Sequence, residues 1–432
     1  MKSDKGKHGI IPPGAFWPFV LLTSCFAWWG LANNMTDTLL AAFKKIMSMS
    51  DFQTSWIQMA FYGSYFCLAL PAAIFIKKFS YKSGVLLGLG LFIIGALLFY
   101  PSSITMNYFH FLGALYILAG GLSVLETSAN PYIIAMGPDE TGTRRLNFAQ
   151  SFNPLGSITG VLLSKIFILS HLNAASAEER ALMTPTELKA IQSQELNAVM
   201  GPYVAVAFIL IVIWVLIAVN KNMPKASEGD GPLDLGPTFK RLLKNRHYSW
   251  GVVAQFFYVG AQIGVWSFTI RYVMRELGLN EADASTYYLA ALILFASMRF
   301  ICTGLMGYIK PGNLLTILSF LAIACSLTVI FVGGHVGVYA LVGISGCMSL
   351  MFPTIFGLSV RGLGNDTKIG GSGHIMAILG GAVITAIQGQ VSDMTGSISL
   401  AYFVPLACFL VIAYYGAVFS RKDLPSVNGA AA

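Results

Sequence analysis

The chain predicts an all-α polytopic membrane protein, with twelve transmembrane helices in two bundles of six. Three observations carry this fold class. Hydrophobic residues make up 56% of the 432 and charged residues only 11%, against about 25% charged in soluble domains. So much apolar surface has no place in one water-soluble core. The apolar residues fall into twelve runs, each near the roughly 17–25 residues that cross a hydrocarbon layer as a helix. Finally, the lysines and arginines collect in alternate connections between those runs. A helix satisfies its own backbone groups in lipid, where nothing else will.

The runs are 16–43, 53–76, 84–100, 107–136, 146–171, 200–220, 249–274, 285–306, 312–332, 336–361, 370–391 and 399–419. An even number puts both termini on one side. The segments on that side include Lys77, Lys78 and Lys82, Arg144 and Arg145, and the basic stretch Lys240 to Arg246. Together they hold most of the 27 lysines and arginines. Positive charge marks cytoplasmic loops, so residues 1–15 and 420–432 are expected as cytoplasmic tails of an inner (plasma) membrane protein. The net charge of +8 then reports topology, and no nucleic-acid partner is expected. The first run is too long for a signal-peptide core and lacks a small-residue cleavage pattern; it reads as a retained helix.

The longest cytoplasmic connection, 221–248, is rich in Pro and Gly before its basic end, and reads as a linker. The basic end suits a short amphipathic helix on anionic lipid. The linker separates a bundle over 16–220 from one over 249–419. Two six-helix halves about such a linker describe the major facilitator plan, whose substrate site lies near mid-membrane between the halves. The outer segment 172–199 reads as one or two surface helices. Pro131, Pro154, Pro353 and Pro405 fall within spans and are expected to kink them. Gly370-Gly371-Ser372-Gly373 and Gly380-Gly381 precede no Lys-Ser/Thr pair, so they read as close helix contacts, not phosphate loops. The six cysteines contain no CxxC pair, so neither a metal site nor a disulfide framework is indicated. No cofactor is expected.

Polar side chains recur at helical spacing inside several spans. The rows are Asn33 or Asn34 with Asp37; Gln58, Tyr62 and Tyr65; Ser123, Glu126, Thr127 and Asn130; Asn147, Gln150, Asn153 and Ser157; Gln255, Tyr258, Gln262 and Trp266; and Thr385, Gln388 and Ser392. Residues so spaced share a helix face, and a polar face toward lipid is heavily penalised. Any one amide is as well explained by bonding between helices; six rows are not. Amides exchange donors and acceptors with hydroxyl pairs, and aromatic rings cover a sugar's apolar C–H face. A small, neutral, hydroxyl-rich substrate fits. An anion does not, since the expected cavity holds no arginine pair.

Two acids, Asp37 and Glu126, lie well inside spans, where a charge is expensive and a functional role is the default. Burial disfavours the charged carboxyl, so such a group exchanges protons as access alternates. Counting about 1.5 Å per residue from the span midpoints, Asp37 falls toward the outside and Glu126 slightly toward the inside. A structural carboxyl held by amides is the competing reading. Arg299 is expected to snorkel toward the cytoplasm, and Arg271 and Lys165 lie toward the outer ends of their spans. His374 reads as packing.

Several stretches carry a family resemblance. Asn33-Asn34-Met35-Thr36-Asp37-Thr38-Leu39-Leu40, Leu125-Glu126-Thr127-Ser128-Ala129-Asn130-Pro131-Tyr132 and Arg145-Leu146-Asn147-Phe148-Ala149-Gln150-Ser151-Phe152-Asn153 resemble the fucose:proton symporters of the major facilitator superfamily. So do Gln255 to Gln262, Phe352 to Phe356 and Leu363 to Lys368 in the second half. The resemblance covers 16–419 in order. It implies a twelve-helix alternating-access symporter, with Asp37 and Glu126 as the essential acids and Asn34 and Asn153 as sugar contacts. Related glucose/galactose members usually carry Gln where Glu126 stands, so Glu126 points toward fucose. Thr36, Phe352 and Lys165 depart from the family pattern; Phe352 replaces a tyrosine and so lacks a hydroxyl.

The reading that results is a proton-coupled monosaccharide importer, for L-fucose or a similar sugar. Protons would be carried by Asp37 and Glu126. Substrate would be held by Asn33, Asn34, Tyr62, Asn130, Gln150, Asn153, Tyr258, Gln262 and Trp266. A monomer in the lipid bilayer is expected. The alternatives are an uncoupled sugar facilitator and a proton-driven drug exporter of the same fold. An enzyme would need a nucleophile–base pair or a ligand motif such as HExxH, and the sequence has none.

Overall fold

The computed structural model describes residues 9–11, 14–46, 51–168, 173, 175, 179–180, 182–224 and 234–420; the side chains of 36–45, 51–55, 58 and 199 lie outside the described residues. Among them every regular element is a helix. The first half comprises α1 (Phe16–Ile46), α2 (Asp51–Lys78), α3 (Tyr81–Thr105), α4 (Tyr108–Ala135), α5 (Asp139–Gln150), α6 (Phe152–Phe167) and α7 (Pro185–Val219). Helix α8 (Leu235–Lys244) lies in the linker. The second half comprises α9 (Arg246–Leu277), α10 (Glu281–Leu305), α11 (Pro311–Phe331), α12 (Gly334–Met348), α13 (Met351–Ser359), α14 (Thr367–Met376), α15 (Gly380–Thr395), α16 (Ile398–Ala401) and α17 (Phe403–Tyr414).

Ten described stretches are long and apolar enough to cross a membrane. The two other expected spans are the first and the fifth. The fifth, expected unbroken over 146–171, is interrupted at Ser151 into α5 and α6. The first carries Asn33 and Asn34 together with Trp28 and Trp29. Both exceptions carry site residues. The sixth span, expected over 200–220, is the second half of the 35-residue α7. Its start at Pro185 is set by Thr184 and Glu187, which cap each other's backbone groups. Near the start of the same helix, Glu195 is buried against Arg180, with a 2.9 Å bond from Arg180 Nη1.

Three of the breaks share a cause. A proline at position i cannot donate to the carbonyl at i−4. Pro154 deprives Gln150, Pro353 deprives Ser349, and Pro405 deprives Ala401. The helices break at Ser151, at Ser349–Leu350 and at Tyr402 accordingly. Pro131 lies inside an uninterrupted α4, so the kink expected there is not a break.

Small residues let helices touch. Glycines 84, 88, 95 and 121 bring α3 and α4 together so closely that a methyl group on any of them would meet the facing helix. Basic side chains close helix ends, as the partial negative charge there favours. Lys82 donates to the carbonyls of Ala218 and Asn220, both at 2.9 Å. Arg145, fully buried, donates to Ile133 (2.7 Å) and Ile134 at the end of α4. Arg144 donates to Thr303 at the end of α10 across the molecule (3.2 Å). Lys82, Arg144 and Arg145, part of the charge expected to set the topology, therefore also cap helix ends.

The two halves meet on the side of the linker. There α5 packs on α13, and α14 packs on α2 and α4. Asn147 donates to Thr354 Oγ1 (3.1 Å). Helix α8 seats Leu242 with Ala73, Tyr248 and Ile369, and Arg241 pairs with Asp366 at 2.7 Å.

Candidate functional site

Between the halves lies a cavity of about 170 Å³. That is smaller than the roughly 300–1,000 Å³ of sites for drug-sized ligands, so a small solute fits. Trp29, Asn33 and Asn34 come to its wall from α1, Phe61, Tyr62 and Tyr65 from α2, and Glu126 from α4. The broken fifth span contributes Gln150, Asn153 and Ser157. From the second half come Gln262 and Trp266 of α9, Tyr288, Phe295 and Arg299 of α10, and Phe352 of α13. The wall mixes amides with aromatic rings.

Two of the amides are held by main chain. Asn34 Nδ2 donates to the Gly30 carbonyl (3.2 Å) and Asn153 Nδ2 to the Phe26 carbonyl (3.3 Å). The second bond depends on how closely α1 and α6 approach. A methyl on Gly156 would collide with the Ala27 carbonyl, and one on Gly30 with that of Asn153. Gln150 Nε2 donates to Asn130 Oδ1 at 2.8 Å. Asn33 Oδ1 is buried without a partner. Trp266 Nε1 donates to Ser345 Oγ (3.2 Å), and its ring stands edge-on to Phe295 at 5.0 Å.

Glu126 is 1% exposed, and neither carboxyl oxygen has a hydrogen bond of ordinary geometry. The Tyr65 hydroxyl interacts with it and accepts from Trp29 Nε1 at 3.2 Å. Ser123 Oγ fixes α2 behind that tyrosine by donating to its carbonyl (3.1 Å). Three helices thus set one carboxyl at the cavity wall with capacity to take a proton or a donor. Asp37 belongs to α1, but its side chain lies outside the described residues.

Of the residues singled out in the sequence, Asn33, Asn34, Tyr62, Glu126, Gln150, Asn153, Gln262 and Trp266 come together. Two do not reach the wall. Asn130 stands behind Gln150, and Tyr258 is fully buried with its hydroxyl on the Met348 carbonyl (3.2 Å). Ser123 and Thr127 spend their hydroxyls on backbone carbonyls, and Asn147 bonds across the halves. Periodicity gives a helix's polar face but not which of its turns meets the cavity.

Arg299 corrects its reading. It does not snorkel: it is 3% exposed, at the cavity wall, with its guanidinium 4.7 Å from the Phe295 ring centre. Its Nε donates to the Ser349 carbonyl and its Nη1 to the Gln150 carbonyl (3.1 Å). Trp29, Tyr65, Tyr288 and Phe295 were not singled out as contacts. Tyr65 shares its spacing with Tyr62 and was within reach of the pattern; the others look like ordinary apolar helix positions. Arg271 and Lys165 are exposed, Arg271 over the Phe268 ring at 4.2 Å.

Two helical bundles with a polar cavity between them match the plan of a facilitator-type transporter. The Major Facilitator Superfamily model matches residues 19–372, and the chain belongs to that family. The chain is 40% identical over 409 residues to the L-fucose-proton symporter of Haemophilus influenzae, covering 92% of this chain and 95% of the relative. It is 33% identical over 405 residues to the glucose/galactose transporter of Brucella abortus, covering 93% of each. Among solved structures, the transporter FucP in the outward conformation superposes with a TM-score of 0.89 at 39% identity, over 95% of this chain and all of that one.

Proposed function

We propose that this chain is a proton-coupled sugar importer that moves L-fucose, or a closely similar monosaccharide, by alternating access. The observation that carries the reading is the Glu126 carboxyl. It is buried and without an ordinary hydrogen bond, in the wall of a small amide- and aromatic-lined cavity, in a chain 40% identical to an L-fucose-proton symporter. A protonated Glu126 donates to a sugar hydroxyl or to a neighbouring acceptor, whereas a charged one is costly at that depth. Proton and sugar therefore favour each other's binding, and by linkage the effect is reciprocal. Asp37 is the second proton site in this reading. Asn33, Asn34, Gln150, Asn153 and Gln262 exchange hydrogen bonds with the sugar, and Trp266 and Tyr62 cover its apolar face.

In this reading the termini and the basic loops face the cytoplasm, the protein works as a monomer in the inner membrane, and the inner side is closed. Contacts of α5 with α13 and of α14 with α2 form that closure. Counterflow in proteoliposomes with a panel of labelled sugars tests the substrate. L-Fucose should exchange faster than D-galactose or D-glucose. Equal exchange of the three, or preference for glucose, would assign the cavity to another sugar.

A further inference from the structure

Arg299 makes two bonds that are not independent accidents of packing. Its acceptors, the carbonyls of Gln150 and Ser349, are each four residues before a proline, Pro154 and Pro353. These are the carbonyls whose own helices have no N–H to offer them. One carbonyl belongs to the first half and the other to the second. One buried guanidinium fills both, and a donor fork with five N–H groups is suited to this. An unfilled carbonyl at membrane depth is costly, so each proline creates a demand that only an outside donor meets.

We propose that Arg299 is a positioning residue that clasps the two halves through these proline-freed carbonyls, and that this clasp sets the balance between the closed and open inner side. The Ser349 bond lies within the second half and persists in both states, holding the guanidinium in place. The Gln150 bond crosses the halves beside Asn147–Thr354 and breaks when the inner side opens. Since Gln150 also lines the cavity, the clasp ties the sugar-facing wall to the inner closure. It rests on neither the identity of the sugar nor proton coupling.

The test adds back the missing N–H groups. Spin labels on Glu140→Cys and Arg361→Cys, one exposed inner-side position on each half, report opening, with the exposed Cys67 changed to Ser. Measurements use the full chain in nanodiscs without sugar. Pro154→Ala gives Gln150 a donor from α6, which competes with Arg299 for that carbonyl and weakens the cross-half bond. The ratio of open to closed inner side should rise about tenfold or more, the worth of a hydrogen bond to a charged group. Arg299→Met should do the same, and Pro154→Ala should add nothing further in that background. Pro353→Ala is the second variant: it frees the guanidinium from Ser349 and should loosen the same closure. An unchanged label distance in Pro154→Ala would overturn the clasp. So would a Pro154→Ala effect of undiminished size in Arg299→Met, which would make the proline a local kink only.

Discussion

Glu126 shows how much one side chain decides. Its neighbours on α4 are used up in packing, with Ser123 and Thr127 on backbone carbonyls and Asn130 on Gln150. Both oxygens of the acid are left without an ordinary hydrogen bond. Glu126→Gln keeps the shape and removes the proton. Sugar counterflow, which needs no gradient, should survive in this variant, while accumulation driven by an inward proton gradient should fall to passive equilibration; uphill uptake at the parent rate would remove Glu126 from coupling. Asn153→Ala should weaken sugar binding by about 0.5–1.5 kcal/mol, roughly two- to tenfold, when titrated by calorimetry, with thermal stability little changed. At this scale the sequence was informative where a residue was out of place. An acid and several amides in apolar runs stand out against lipid. Arg299 also stood out, but its role did not. Its partners are main-chain carbonyls on two other elements, made available by prolines, and no local pattern in α10 records them. Asn130 and Tyr258 lie on the predicted rows yet stand behind the wall, Asn130 accepting from Gln150 and Tyr258 donating to the Met348 carbonyl.

Elements place those residues, and the close approach of α1 to α6 matters most. Gly30 and Gly156 are the positions where a side chain has no room against main chain. Gly156→Val should cost about 1–3 kcal/mol through overpacking, read as a lower unfolding temperature. It should also move Asn153 off the Phe26 carbonyl, so sugar affinity falls by more than in Asn153→Ala. Stability loss with unchanged affinity would show that the contact is packing alone. The spans were legible because twenty apolar residues in a row have few alternatives. The interruption at Ser151 was legible only as a proline, since the consequence of a missing N–H depends on whether a donor such as Arg299 waits nearby. The length of α7 was not legible: its first half is polar and held by Arg180 and by Gln192, which donates to the Ile46 carbonyl at 2.7 Å.

For the whole molecule, the six-plus-six plan followed from counting spans and finding the linker, and the superposition on FucP at a TM-score of 0.89 agrees with it. What counting does not give is the state. Closure on the linker side rests on contacts between residues more than 150 positions apart, such as Asn147–Thr354 and Arg144–Thr303, none of which any sequence period encodes. Alternating access requires those contacts to exchange for others on the far side while the cavity stays between the halves. Coupling then requires that the exchange be favourable only when sugar and proton are both bound or both absent. The most direct test is internal pH in sealed proteoliposomes holding a pH-sensitive dye, with no gradient imposed. Adding L-fucose outside should acidify the interior, and a protonophore should abolish the signal. Entry of labelled L-fucose with no change in internal pH would contradict proton coupling and leave an uncoupled facilitator.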